Sequence, residues 1–405
     1  MAFSKMASEH NYSKIAFVMY QLIHITSTLL GLAPCSVKIS TPSAPEVGFT
    51  CLFSHSRVKC FYNILLIGLY IAIMVRSVPA LNNVQYPNNS SVGRMIGLAL
   101  GIMGNAIPTV IIIYYLIFQR DIIRIGNQMN QFDKTYGAKL IAKSDRGIGN
   151  LKIYAIVVII FVIWIGVLIT EYMLPQGMIY IVTSSLNEGF VSWLLVQYSL
   201  VIHVLENRIR GLNKALLDSA VHVTVFTEGP LVRRSVASDS LIIQNLIMIK
   251  KARNYVLKLS RQISKFYTFP VLLIICYCCC SCIDTGYFYI MTLMLPEKKG
   301  DNNVLIDAIF CVLMNFYPII ILSTSVNSFQ AETEHTADIV YDMMETCAAH
   351  KDVELSLNNF AVELLHKKVS FNACGLFSLD CTLLHSILAM IATYLLILVQ
   401  FKPLG

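Results

Sequence analysis

The chain has 405 residues, 56% of them hydrophobic and 14% charged, with a mean hydropathy of +0.64. Soluble globular chains average about 25% charged residues, so this composition excludes a soluble domain and points to an all-α, polytopic membrane protein. The net charge of +7 follows from the positive-inside rule, and no nucleic-acid partner is expected.

Residues 1–61 are mixed and read as a cytoplasmic N-terminal segment. The first fifteen are polar, and no small-residue cleavage site follows a short apolar core, so no cleavable leader is expected. Within this segment, 15–34 is moderately apolar but holds Gln21, His24, Thr26, Ser27 and Thr28. It is either a weak span or an amphipathic helix on the membrane face. Apolar runs long enough for a bilayer core of about 30 Å follow near 62–80, 95–118, 152–173, 268–293, 304–326 and 382–401. A further run, 183–206, is interrupted by Ser184, Ser185, Asn187, Glu188 and Ser192. It counts as a span because the loop charges then alternate.

With seven spans and a cytoplasmic N-terminus, the segments 1–61, 119–152, 207–267 and 328–375 hold 26 of the 31 Lys and Arg residues. The outer side holds Arg76, Arg94, Lys298, Lys299 and Lys402. This bias makes 119–151 and 207–267 cytoplasmic loops and the C-terminus extracellular. Asn88 and Asn89 begin overlapping glycosylation sequons in the first outer loop. No cysteine falls in an outer loop, so no disulfide framework is expected. The outer loops are short, so a ligand must bind among the spans. Residues 62–327 thus carry spans one to six, with a ligand pocket in their outer halves. Residues 240–267 and 328–370 show helical periodicity and read as cytoplasmic extensions of the spans that pack together. Segment 328–381 is a cytoplasmic anchor, 219–240 reads as a flexible loop, and 382–405 holds the last helix and the extracellular end.

That last helix, Leu383 to Phe401, carries Thr393 and Gln400 seven residues apart, hence on one face, with Leu396 and Ile397 between them. A glutamine is costly in lipid, so Gln400 faces water or another helix. The pattern Thr393-Tyr394, five apolar residues, Gln400-Phe401 resembles the C-terminal signature of insect gustatory receptors. The run Cys374-Gly375-Leu376-Phe377-Ser378-Leu379-Asp380-Cys381 resembles the segment leading into that signature. Gly31-Leu32-Ala33-Pro34 resembles an N-terminal element of the same family. The resemblance implies a tetrameric, ligand-gated, non-selective channel passing sodium, potassium and calcium ions, homomeric or heteromeric with other gustatory receptor subunits. It implies that the seventh span lines the pore, with Gln400 and Phe401 at the outer gate and with Thr393, Leu396 and Ile397 along the wall. It makes 15–34 a packing helix on the cytoplasmic side. It also implies a plasma-membrane protein of sensory neurons, in contact with lipid and with a small-molecule tastant, either bitter or a fructose-type sugar. Leu395 stands where the sugar-receptor branch commonly has an acid.

Polar and aromatic residues collect in the outer halves of the spans: Trp164, Glu171 and Tyr172; Asn187, Glu188 and Trp193; Asp284 and Tyr287; Asp307 and Asn315. Intramembrane acids mark functional sites, and carboxylates with aromatic platforms suit a sugar or an alkaloid cation. An interfacial belt accounts for the aromatics equally well. The run Cys276, Cys278, Cys279, Cys280, Cys282 lies on a helix that splays its thiols, so it reads as core packing and not as a metal site. No metal, no cofactor and no enzyme activity are expected, since no nucleotide loop, ligand spacing or nucleophile motif occurs. The rival classes are a G-protein-coupled chemoreceptor of inverted topology, opposed by the expected external C-terminus, and a secondary transporter, which predicts internal repeats that the sequence lacks.

Overall fold

The computed structural model describes residues 18–40, 50–82, 91–141, 146–174, 178, 181–227, 236–293, 302–346, 351–367 and 369–400. Asn88, Asn89 and Phe401 lie outside the described residues. Among the described residues, seven helices are long and apolar enough to cross a membrane. They are α2 (Arg57–Asn82), α3 (Ser91–Ile117), α5 (Arg146–Met173), α6 (Leu186–Thr227), α7 (Val236–Leu293), α8 (Asn302–Thr346) and α10 (Cys381–Gln400). Every apolar run of the sequence is one of these. Three further helices are α1 (18–29), α4 (Gln119–Phe132) and α9 (Lys351–His366). The helical stretch 18–29 extends about 18 Å, well short of a bilayer core. The end of the bundle at which α5 finishes and α6 begins is taken as the upper end.

The helices α6, α7 and α8 have 42, 58 and 45 residues. At about 1.5 Å per residue they run from about 60 to about 90 Å and project far below any bilayer. The expected flexible loop at 219–240 is therefore a correction: α6 continues to Thr227 and α7 starts at Val236. No glycine or proline interrupts the sequence between Asn213 and Thr227, and Gly229-Pro230 supplies the breakers. Short hairpins depart from pure helix at the lower end. Strands β1 (Cys35–Ser40) and β2 (Thr50–His55) pair antiparallel, Cys35 opposite His55. Strands β3 (Asn372–Ala373) and β4 (Phe377–Ser378) pair just before α10. Asp380 caps α10: the Thr382 N–H donates to Oδ1 at 2.9 Å and the Ser378 hydroxyl to Oδ2 at 2.7 Å.

The core lies around α6, which is sheathed by α8, α7, α5 and α3. Phe190, Leu194, Tyr198, Ile202 and Leu205 of α6 are fully buried, and Tyr198 stacks on Tyr267 of α7 at 4.3 Å. Below, charged groups tie the long helices. Arg210 donates to Glu206 (2.5 Å) and to Glu332 of α8 (2.7 Å), and Thr336 donates to Asn213 (2.7 Å). Arg208 grips Asp133 with two bonds, at 3.0 and 2.7 Å. Lys250 of α7 meets Glu363 of α9 at 2.8 Å. Burial alone raises the Glu363 carboxyl, but bonds from Lys250, Lys367 and Asn254 outweigh it and hold the group at about 2.

Prolines sit inside α7 (Pro270) and α8 (Pro318). Each lacks an N–H and so frees the carbonyl four residues earlier. Both freed carbonyls are met by a neighbour's hydroxyl: Tyr114 of α3 donates to the Phe266 oxygen at 3.0 Å, and Ser192 of α6 donates to the Met314 oxygen at 2.9 Å. Ser192→Ala and Tyr114→Phe each remove one donor and leave a carbonyl unpaired in the span. We expect each to cost about 1–3 kcal/mol, read as a lower thermal unfolding midpoint of the detergent-purified protein. The exposed, back-bonded Thr324→Ala serves as a control with no change.

Candidate functional site

The upper turns of α5, α6, α7 and α8 bring a belt of polar side chains together. Glu188, in the first turn of α6, is 2% exposed. Its Oε1 accepts from Ser281 of α7 at 2.9 Å, and from Asn315 of α8 and Ser184 at 3.5 Å each. Asn315 also donates to the Ser281 hydroxyl at 3.2 Å and to the Cys311 carbonyl at 2.9 Å. Beside this triad, Ser185 donates to Glu171 of α5, and Thr170 donates to Asp307 of α8 at 2.7 Å. Asn187 donates to the Thr183 carbonyl at 2.8 Å. Two acceptors in the belt, Glu188 Oε2 and Asn187 Oδ1, are buried with no hydrogen-bond partner among the described residues.

Local sequence explains the placement. A π-helical turn at Ile181–Ser185 precedes α6, and it faces Ser184 and Ser185 toward Glu188 and Glu171. Glu188 then lies in the first turn of a helix, where the backbone dipole favours an acid. The carboxylates meet hydroxyls and an amide, all neutral. The sequence has no Lys or Arg between Lys152 and Arg208, between Lys265 and Lys298, or between Lys299 and Lys351. The belt is therefore rich in acceptors and lacks basic residues along these stretches. It suits a ligand that brings donors or a positive charge.

Of the residues singled out from the sequence, Glu171, Asn187, Glu188, Asp307 and Asn315 meet in this belt. Asp284, half-buried, lies one turn beyond Ser281 on α7, and Tyr287 is buried on the same helix. The Trp164 indole reaches the belt, donating to the Ser185 carbonyl at 3.3 Å, and Trp193 sits lower. Both tryptophans line a small cleft with Thr26 of α1, Leu30 just after that helix, Phe161 and Met314, and the Trp193 indole donates to Ser27 of α1 at 3.0 Å. Tyr172 stands apart: it is 65% exposed on the outside of α5, as an interfacial aromatic would be. Ser281 escaped the sequence reading because it lies inside the cysteine run. The only signal was a lone hydroxyl three residues from Asp284. Cys278, Cys279 and Cys282 are buried on the packed side and Cys276 is exposed, as helical splay requires.

The last helix has two unlike faces. Leu383, Ile387 and Ile391 are buried against the rest of the chain, while Thr393, Tyr394, Leu396, Ile397 and Gln400 are exposed. The polar face is thus left free by the chain's own helices.

Fold and site together define a seven-helix membrane protein with a buried polar belt among its spans and one peripheral helix that presents a polar face. The sequence matches the family described as 7tm Chemosensory receptor over residues 20–405, and the chain belongs to that family. This is a family of receptors and not of enzymes. Gustatory receptor 28b of Drosophila melanogaster is 29% identical over 189 residues, which is 46% of this chain and 37% of that one. The gustatory receptor for sugar taste 43a of the same organism is 28% identical over 140 residues, 35% of this chain and 32% of that one. The matched stretches span little more than a third of these relatives' own length at most. Among solved structures, the insect olfactory receptor OR5 from Machilis hrabei superposes with a TM-score of 0.62 at 11% identity, covering 95% of this chain and 98% of that one. The same receptor in complex with eugenol gives 0.61 at 9% identity, covering 96% of this chain and all of that one. At such identities the likeness bears on the fold.

Gly189 lets the indole of Trp164 lie against α6: a Cβ there would fall 2.6 Å from the ring. A rigid ring cannot retreat as a flexible side chain does. Gly189→Ala is expected to destabilise the protein by about 1–3 kcal/mol, seen as a lowered thermal midpoint that Trp164→Leu partly restores.

Proposed function

We propose that the protein is a gustatory receptor that works as a tastant-gated, non-selective cation channel of the sensory-neuron plasma membrane, assembled from four subunits with α10 of each lining a central pore. The observation that carries this reading is the exposed polar face of α10. Gln400 cannot face lipid without losing hydrogen-bond partners, and the chain's own helices cover neither it nor Thr393, whose hydroxyl donates to the Ala389 carbonyl at 2.8 Å. Four such faces around an axis give a wall of hydroxyls and amides for sodium, potassium and calcium ions, narrowed by Leu396, Ile397 and Phe401. The loop charges orient the lower end toward the cytoplasm. The segments below, with Leu355 and Leu365 of α9 exposed at 62% and 61%, then serve as the shared anchor between subunits.

The tastant occupies the polar belt. Its unpaired acceptors and its carboxylates favour a donor-rich ligand, either a protonated bitter compound or a fructose-type sugar. The buried face of α10 meets the belt's own helices, which gives the ligand a mechanical route to the pore. The test is whole-cell recording from cells expressing the full chain, with a panel of bitter compounds and sugars and with G-protein signalling blocked. Tastant currents persist under the block. Gln400→Ala changes ion permeation and leaves the half-maximal tastant concentration within about twofold. Glu188→Gln raises that concentration about tenfold or more, the loss of one charged contact of about 1.5–3 kcal/mol, and leaves permeation unchanged. Currents abolished by the block would sink the reading.

A further inference from the structure

Between Glu9 and Asp121 the sequence has a single acid, Glu46, against seven Lys and Arg residues. Four of those bases sit on elements joined at the lower end: Lys38 on β1, Arg57 and Lys59 in the first turn of α2, and Arg120 in the first turn of α4. The joints are specific. Gln119 donates to the Pro34 carbonyl at 2.6 Å and accepts from the Cys60 thiol at 3.4 Å, and Asn127 of α4 exchanges two hydrogen bonds of 3.0 Å with the backbone of Phe53 in β2.

Lys38, Arg57 and Arg120 are exposed, but Lys59 is half-buried against α1. There its Nζ lies 3.1 Å from His24 Nε2 and 3.2 Å from the Thr28 hydroxyl. Burial and the neighbouring Lys59 charge push His24 down to about 4, so it is neutral at physiological pH. Both partners of Lys59 are therefore neutral. The lysine is positioned, but no acid among the described residues matches its charge.

Both helices at this corner expose apolar side chains. Helix α1 exposes Val18, Leu22, Ile25 and Leu29, spaced for one helical face, and α2 exposes Phe61, Leu65 and Leu69 on the same principle. An acid-poor basic corner at the foot of two apolar helix faces suits one molecule: a phosphate head with acyl tails. A soluble anion would use the corner but would leave the faces bare.

We propose that Lys38, Arg57, Lys59 and Arg120 bind the headgroup of an anionic phospholipid whose acyl chains lie along α1 and α2. On the orientation given under Proposed function, this is the cytoplasmic leaflet, where such lipids concentrate, and the site does not otherwise depend on channel activity. The lipid joins the N-terminal helix to the first span and neutralises the charge that α1 leaves unmatched.

The test is native mass spectrometry of the full chain, delipidated in detergent and titrated with phosphatidylcholine, phosphatidylserine or a phosphatidylinositol phosphate. It reads lipid retention whichever way the protein faces and whether or not it conducts. The anionic lipids are expected to be retained and phosphatidylcholine lost. Lys59→Gln should weaken retention about fivefold, following the roughly 1 kcal/mol that one basic residue contributes near an anionic surface, and Lys59→Arg should keep it. Lys38→Gln with Arg120→Gln, both exposed positions, makes the same measurement on a variant whose packing is untouched. Equal retention of phosphatidylcholine, or unchanged retention in both the Lys59→Gln and the double variant, overturns the proposal. Displacement of the lipid by a soluble inositol phosphate at equal concentration also overturns it, because the head alone would then suffice.

Discussion

A backbone or side-chain dipole inside lipid has no water to fall back on, and the organisation of this bundle follows from that constraint. The least apolar span, α6, is the one most completely enclosed by protein. Ser184 and Ser185 in the turn before it, with its own Asn187, Glu188 and Ser192, would be prohibitive on a lipid-facing helix. Surrounded by α3, α5, α7 and α8 they become the groups that hold those helices in register. Ser192 shows the reciprocity: it needs a partner, and the carbonyl freed by Pro318 needs a donor. Tyr114 and the carbonyl freed by Pro270 repeat the arrangement between α3 and α7. The two prolines can therefore bend the long helices without leaving a bare oxygen in the membrane.

The helices that complete the belt are also those that touch the last helix. Ser281 lies on α7 and Asn315 on α8, and α10 packs against both. On α7 the contact is close because Gly286 has no side chain: a Cβ there would fall 3.0 Å from the Leu395 side chain. Gly286 lies between Asp284 and Tyr287 on the same turn. On α8, Asn327 donates to the Cys381 thiol at the foot of α10 at 2.8 Å. The segments that carry Ser281 and Asn315 therefore bear on both ends of α10, and on the proposed function a ligand that shifts either residue would act through them. No separate relay is needed.

Much of this was legible in the sequence. Spans announce themselves because lipid demands long uncharged runs, and the motif around Thr393, Tyr394 and Gln400 carried the family. The acids of the belt were legible too, since Glu171, Glu188 and Asp307 are conspicuous in apolar surroundings. What the sequence hid had the opposite character. Ser281 is small and sits among cysteines that look like packing, yet it is the nearest partner of Glu188. Tyr172 looked like a platform only because sequence position does not tell which side of α5 a residue faces. The loop expected at 219–240 is helical at both ends because packing below the membrane extends α6 and α7 well past the apolar run. The hairpin Cys35–His55 has a period of two over only six residues per strand, too short to stand out next to a span.

The two ends of the bundle are held by different means. Below, Arg208, Arg210, Glu206, Glu332, Lys250 and Glu363 make charged bonds at 2.5 to 3.0 Å across α6, α7, α8, α9 and the segment after α4. Charge-assisted bonds are about twice as strong as neutral ones, and several share one partner, so none yields alone. Above, the same helices are linked by single hydroxyl and amide contacts, two of them stretched to 3.5 Å, around acceptors that lack a donor. On the proposed function, a ligand that satisfies Glu188 Oε2 or Asn187 Oδ1 gains a bond that the described residues do not supply. On that same function, the charged lower end is the fixed point, and the long helices are the route by which a change in the belt would reach the neighbouring segment of α10.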